Sequence, residues 1–194
     1  MAPDPSIWQL PSLREEIAHA QAGLCVLTGG QTGVDTLAGQ AALKAGLAVH
    51  LVFPLGLRQE DGPLTPARRS ELAGATVHEL ASPDFRLRTW TCSFLSDAII
   101  LLDPAGGDGC QETIHAARHL GRPLLDLTSF TEIPMGKNLR ELNRLPELIM
   151  QWATDNEVRV LMFAGCRASL LAAHGQAPSL RATLDEIAST LATA

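Results

Sequence analysis

The chain has 194 residues, 46% of them hydrophobic and 19% charged, which is enough for one compact domain with a substantial core and short for two. Its formal net charge of −6 argues against a general nucleic-acid-binding protein, which needs a basic surface, but not against a small anionic ligand held by a few local donors. No signal peptide or membrane-spanning stretch is recognisable, and the 4 cysteines are scattered, so we expect a cytoplasmic protein without disulfides or a zinc ribbon.

The sequence pattern of the first 53 residues predicts an N-terminal arm, a helix and a βαβ unit. Proline breakers make residues 1–11 a loose arm. Ser12 and Glu15 have the spacing of a capping box, which predicts a helix from Ser12 to about Ala22. An apolar strand, a helix and a second strand are then expected at 24–28, 34–44 and 47–53.

The remainder of the chain continues this alternation after a polar loop at 54–66. We expect strands at 76–80, 98–102, 123–127 and 158–163, and helices at 83–95, 110–120, 139–155 and 179–191. The alternation predicts an α/β fold: one doubly wound, mostly parallel Rossmann-like sheet with helices on both faces. We expect a single domain over 1–194, with the arm and first helix at 1–22 and the core at 23–194.

A glycine-rich loop follows the first predicted strand, with the sequence Gly29-Gly30-Gln31-Thr32-Gly33-Val34-Asp35. Glycines let the backbone turn sharply and approach a ligand, and the free N–H groups of the next helix favour an anion, with the Thr32 hydroxyl as a further donor. A tight turn without a ligand is the alternative. Asp35 either complements the helix dipole or accepts hydrogen bonds from a ligand sugar or base. The loop is neither a Walker A nor a G-x-G-x-x-G motif, which disfavours an ATPase or a nicotinamide dehydrogenase.

A second loop of the same kind follows the strand at 98–102, with Gly106, Gly107, Asp108 and Gly109 before Cys110 and Glu112. The strands at 24–28 and 98–102 are expected to be neighbours, so that both loops face one crevice at the carboxyl ends of the strands. A carboxylate repels phosphate, so Glu112 either reads a ribose hydroxyl or acts in catalysis; a helix-dipole partner is the alternative. His115 and His119 have metal-ligand spacing, but we expect no metal, because the H-E-x-x-H pattern is absent.

Two arginines in other predicted elements, Arg58 and Arg88, could close over an anion, with Thr89 next to the second. Surface arginines without a ligand are the alternative reading. No Ser-His-Asp set and no pair of acid/base carboxylates can be placed from spacing alone.

Four segments resemble, in chain order, the family named putative molybdenum cofactor carriers, within the Rossmann-like superfamily that includes the LOG (lysine decarboxylase-like, or SLOG) proteins. They are Gly29–Asp35, Glu60-Asp61-Gly62, Arg88-Thr89 with Ser96-Asp97, and Val160–Ser169. The chain departs from the family pattern at Cys92, at Met162-Phe163, and in the second loop, where Asp108-Gly109-Cys110 leans towards the LOG-type G-G-x-G-T-x-x-E.

The resemblance implies an anionic pterin or nucleotide at the two glycine loops, with the molybdenum cofactor (molybdopterin) or a nucleotide as the bound molecule. It also implies a homo-oligomer, with molybdoenzymes as partners. The alternative is a LOG-like phosphoribohydrolase that cleaves the N-glycosidic bond of a nucleoside monophosphate, with Glu112 catalytic and Arg88 a candidate partner. A nucleotide sensor that presents a surface to other proteins is a third reading.

Overall fold

The computed structural model describes residues 10–19, 23–103, 108–127, 144–173 and 177–193. Its strands are β1 (Cys25–Thr28), β2 (Ala48–Phe53), β3 (Arg58–Gln59), β4 (Gly62–Pro63), β5 (Thr76–Glu79), β6 (Ala98–Leu102), β7 (Leu124–Asp126) and β8 (Val160–Gly165). Its helices are α1 (Leu10–His19), α2 (Val34–Lys44), α3 (Pro66–Glu71), α4 (Phe85–Leu95), α5 (Asp108–Leu120), α6 (Leu145–Asp155), α7 (Ala168–Ala173) and α8 (Ala177–Leu191).

Six of the strands form one parallel sheet in the order β5-β2-β1-β8-β6-β7. Side chains alternate between the two faces of each strand, as they must in an extended chain. On β1, Val26 belongs to a core with α2, α6 and α8, whereas Leu27 belongs to a second core with α1, α4 and α5. The predicted α/β fold with helices on both faces is therefore confirmed.

The predicted adjacency of the strands at 24–28 and 98–102 is wrong, because β8 lies between them. Cys25 of β1 pairs with Val160, and Ala98 of β6 pairs with Leu161 on the other side of β8. The first five residues of β8 are buried, which suits a central strand covered on both faces. Position along the chain gave no hint that the last strand occupies the middle of the sheet.

Several element boundaries also differ from the prediction. Helix α1 begins at Leu10, so Ser12 lies inside the first turns and cannot be the N-cap, while residues 20–22 lie outside the described part of the chain. The loop at 54–66 contains the β3–β4 hairpin. The short helices α3 and α7 were not predicted, although Thr65 caps α3 by accepting a hydrogen bond from the Arg68 N–H at 3.3 Å. Of the helix predicted at 139–155, the structure describes Leu145–Asp155.

Candidate functional site

A cleft of about 510 Å³ opens at the carboxyl ends of the three central strands β1, β8 and β6. This is where ligands bind in open α/β sheets, and the volume lies in the usual range for a small-molecule site. The predicted site residues that line it are Gln31, Asp35, Arg88, Thr89, Asp108, Gly109 and Glu112. A second cavity, of about 180 Å³, lies beside α3 and contains none of the predicted residues.

The other predicted residues stand behind the cleft, at its rim or outside the described chain. Gly29, Gly30, Thr32 and Gly33 are buried in the β1–α2 loop. The Arg58 guanidinium lies 5.8 Å from the centroid of the Phe85 ring, which lines the cleft. Gly106 and Gly107 lie outside the described residues.

The backbone N–H groups of the β1–α2 loop donate hydrogen bonds within the protein. The Gly30 N–H donates to Thr28 Oγ1 at 3.2 Å, and the Gln31 N–H donates to Asp35 Oδ2 at 3.2 Å. The Thr32 N–H donates to Gln31 Oε1 at 3.0 Å, and at the start of α2 the Val34 N–H donates to the Cys166 carbonyl at 3.0 Å. These four donors have acceptors within the protein, and the anion site expected at this loop stays a prediction.

The glycines of this loop allow other groups to pack against its backbone. A Cβ on Gly29 would lie 1.2 Å from Arg88 Nη1, so the guanidinium rests where a side chain would otherwise be. A Cβ on Gly33, whose φ is 85°, would lie 2.4 Å from the Cys166 carbonyl oxygen. The loop thus packs directly on Arg88 and on the turn after β8.

Arg88 and Asp35 form a buried ion pair beside this loop. Arg88 Nη1 lies 3.2 Å from Asp35 Oδ2, and the two side chains are 10% and 5% exposed. Burial raises the pKa of the Asp35 carboxyl, while the Arg88 charge and hydrogen bonds from the Gln31 and Gly29 N–H groups act in the opposite direction. The buried Arg88 Nε has no hydrogen-bond partner among the described residues.

Glu60 joins three segments of the chain at one side of the cleft. Its carboxylate accepts hydrogen bonds from the Thr32 hydroxyl, from Ser169 Oγ at 2.6 Å and from the Ser169 N–H at 3.2 Å. Arg167 Nε lies 3.5 Å from Glu60 Oε2. Although burial opposes the shift, these donors and the Arg167 charge lower the pKa of Glu60. The carboxylate therefore stays ionised and holds the β1–α2 loop, the hairpin and the turn after β8 together.

The hairpin is pinned to the same loop by amide side chains. Gln59 Nε2 donates to the Gly30 carbonyl at 2.8 Å, and the Glu60 N–H donates to Gln31 Oε1 at 2.7 Å. Sequence reasoning quoted Glu60 only as part of a family motif and gave it no role. The motif itself was the available signal, but its partners lie far away along the chain.

Glu112 is held at the opposite side of the cleft by two donors from α4. Its Oε1 accepts hydrogen bonds from Arg86 Nε at 2.8 Å and from the Trp90 indole. Burial would raise the pKa of Glu112, but these donors and the Arg86 charge lower it, so the carboxylate is ionised at neutral pH. Arg88, the partner considered from the sequence, pairs with Asp35, and Arg86 takes its place at Glu112.

The two histidines of α5 pack edge-on against Trp90, with ring centroids 5.9 Å away for His115 and 5.4 Å for His119. Among the described residues, no group of three or more His, Cys, Asp or Glu side chains could hold a metal ion.

The cleft combines three kinds of surface. The N-terminus of the 13-residue helix α5 opens onto it through Asp108 and Gly109, and the first N–H groups of a helix have no acceptor within the helix. Its charged lining consists of the arginines Arg86, Arg88 and Arg167 and the carboxylates Asp35, Glu60, Asp108 and Glu112. Apolar surface comes from Phe85, Met162, Ala164 and Leu170. The arrangement suits a ligand with an anionic group, hydroxyls and a flat apolar part.

The fold is a parallel α/β sheet with helices on both faces and a cleft at the carboxyl ends of its central strands. The family model described as circularly permutated YpsA SLOG matches residues 26–187. The chain belongs to this family, which confirms the predicted place in the SLOG superfamily.

A crystal structure of "Putative molybdenum carrier protein" from Syntrophus aciditrophicus SB has a similar fold. Its TM-score is 0.65 at 22% sequence identity, and the match covers 88% of this chain and 95% of that one. No curated protein matches the chain. Within the part of the chain that the structure describes, no helix is long and apolar enough to cross a membrane.

Proposed function

We propose that the cleft binds a small phosphorylated pterin or nucleotide and that the protein carries this molecule, with the molybdenum cofactor, implied by the resemblance of the sequence motifs, as the cargo. One observation carries the proposal. A helix N-terminus, arginines, and carboxylates that can accept hydrogen bonds from hydroxyl groups line the same cleft of about 510 Å³. A helix N-terminus favours an anion because its N–H groups and dipole both point at it. Phosphate therefore fits at the start of α5.

The remaining groups suit the other parts of such a ligand. Asp35 and Glu112 offer carboxylate oxygens to ligand hydroxyls, and Phe85 and Met162 offer apolar surface to a ring. A phosphorylated pterin would meet these groups through its phosphate, its hydroxyls and its ring.

A second function, hydrolysis of an N-glycosidic bond in a nucleoside monophosphate, is favoured by the Arg86–Glu112 pair at the cleft wall. The ionised Glu112 could stabilise a positively charged sugar in the transition state. With its pKa lowered, it is a poor proton donor at neutral pH. This second function therefore needs another general acid, and the carrier function does not.

Native mass spectrometry of the purified protein tests the carrier function directly. We expect a retained phosphorylated molecule, which is then released and identified. The same spectrum gives the mass of the assembly and so tests the predicted homo-oligomer. A protein that retains no small molecule, and that binds neither AMP nor inorganic phosphate in calorimetric titrations, would contradict the proposal.

Glu112→Gln separates the two functions. If Glu112 holds a ligand hydroxyl, the amide weakens AMP binding and neither form releases adenine; this is the expected result. If Glu112 is catalytic, the wild-type protein releases adenine from AMP and the variant loses about 10²- to 10⁴-fold in rate with binding nearly intact. Glu147→Gln, at an exposed position of α6, is the matched control. Steady release of adenine by the wild-type protein would overturn the carrier function in favour of the enzyme.

A further inference from the structure

The turn after β8 places one more arginine in the cleft. Because β8 lies between β1 and β6, the residues that follow it emerge between the carboxyl ends of these two strands. Gly165 pairs with Leu102 at the end of β6, so Arg167 begins close to the start of the β6–α5 connection. Arg167 lines the cleft and its side chain is 56% exposed, which places it at the mouth.

The guanidinium of Arg167 is held from one side. Its Nε lies 3.5 Å from Glu60 Oε2, and among the described residues this is its ion pair. Glu60 is itself fixed by Thr32 and by Ser169. A guanidinium held through Nε keeps its two terminal amino groups for a second partner, and this fork matches two oxygens of a phosphate.

The other two arginines that line the cleft form closer ion pairs than Arg167 does. Arg88 is buried against Asp35, and Arg86 Nε lies 2.8 Å from Glu112, against 3.5 Å for the contact of Arg167 with Glu60. Arg167 is therefore the arginine most easily turned towards a ligand.

We propose that Arg167 is the residue that selects phosphorylated over unphosphorylated ligands, and that Glu60 is a positioning residue that acts through it. The inference rests on the proposed function, since it assigns the recognition of the phosphomonoester in the same cleft. On binding, the terminal fork of Arg167 contacts phosphate oxygens while the contact with Glu60 keeps the side chain over the cleft. The N-terminus of α5 supplies the facing donors.

Calorimetric titrations with AMP, adenosine and inorganic phosphate test this assignment. Arg167→Gln should weaken AMP binding about 10- to 100-fold, the usual value of a hydrogen bond to a charged group, and leave adenosine binding unchanged. Arg167→Lys keeps the charge but loses the two-pronged guanidinium, so its affinity for AMP should lie between those of the wild type and Arg167→Gln. Arg159→Gln removes the same charge at an exposed position outside the cleft and should bind AMP as the wild type does.

A double-variant cycle tests the role of Glu60. Glu60→Gln should weaken AMP binding in the wild-type background and add little when Arg167 is already Gln, because its effect passes through that arginine. Circular dichroism melts confirm that each variant is folded. Additive losses would show that Glu60 affects AMP binding independently of Arg167 and would overturn its part of the proposal.

The failures of the two proposals are distinguishable. If the wild-type protein binds AMP but Arg167→Gln prefers AMP over adenosine by the same factor, the inference about Arg167 is overturned and the proposed function stands. If the wild-type protein binds neither AMP nor inorganic phosphate, both are overturned.

Discussion

Replacing Arg88 by Met removes the charge next to Asp35 and keeps a long, flexible side chain in its place. The Asp35 side chain is 5% exposed, so its carboxylate is left without a counter-charge in a site that solvent barely reaches. Breaking a buried ion pair by removing one partner costs about 3–5 kcal/mol. We expect a loss of that size in the free energy of unfolding at pH 7, a large share of the stability of a domain.

The pH dependence of this loss has a definite sign. Burial already raises the pKa of Asp35, and removing Arg88 takes away the charge that opposes this shift. A carboxyl whose pKa is higher in the folded than in the unfolded protein favours folding when it is protonated and disfavours it when it is ionised. The deficit of Arg88→Met should therefore be largest near pH 7 and shrink as the pH falls towards 4.

Urea unfolding measures the free energy of unfolding of the wild type, of Asp35→Asn, of Arg88→Met and of the double variant Asp35→Asn/Arg88→Met. The double variant should recover part of the loss, because the neutral amide needs no counter-charge and its oxygen can still accept from the Gln31 N–H. A loss below about 1 kcal/mol for Arg88→Met at pH 7 would refute the reasoning. So would a double variant whose loss equals the sum of the two single losses.

Two further predictions concern packing and pH. Gly29→Ala should displace the Arg88 guanidinium, because the new Cβ would lie 1.2 Å from Nη1, and should lose stability in urea unfolding, whereas Gly23→Ala, with nothing within 4 Å, should not. His50 and His78 stack with ring nitrogens 3.0 Å apart, and burial lowers both pKa values below the ordinary 6.5. The unfolded chain thus binds protons first, so stability should be constant above about pH 7 and fall below about pH 6; a urea midpoint unchanged between pH 7.5 and 5.5 would contradict this.

The sequence was sufficient for the fold class because each central strand is a short apolar run followed by a helix. It was insufficient for the strand order, since β1, β6 and β8 are all apolar and periodicity does not say which of them is in the middle. The helix N-cap at Ser12 was wrong for a related reason. A capping box is a local pattern, and the two residues before it continue the helix.

The sequence predicted that the candidate site residues lie near one another, but not which of them form ion pairs. Asp35, Arg88 and Glu112 do line one cleft, as glycine loops at strand ends suggest. The partners of these residues are set by distant packing. Arg86 rather than Arg88 reaches Glu112, because Arg88 turns towards the backbone of Gly29, which has no side chain to block it.

The acceptors of the loop N–H groups are a further feature that the sequence does not fix. A glycine loop before a helix has donors, but the sequence does not reveal whether side chains nearby already accept from them. Here the side chains of Thr28, Gln31 and Asp35 do so. Each of these residues lies within the loop or next to it, so the competition for the N–H groups is local.

The central position of β8 has a consequence for how the protein is made. During synthesis the ribosome releases β1 and β6 long before β8, the strand that lies between them. Likewise, the Thr32 hydroxyl accepts a hydrogen bond from the Ala168 N–H, which is made 136 positions later. Until then both strands present unpaired, apolar edges of the kind that pair with other chains. Closing so long a loop is also slow. Newly made chains should therefore be prone to aggregate, and any truncation before β8 should abolish the cleft along with the sheet.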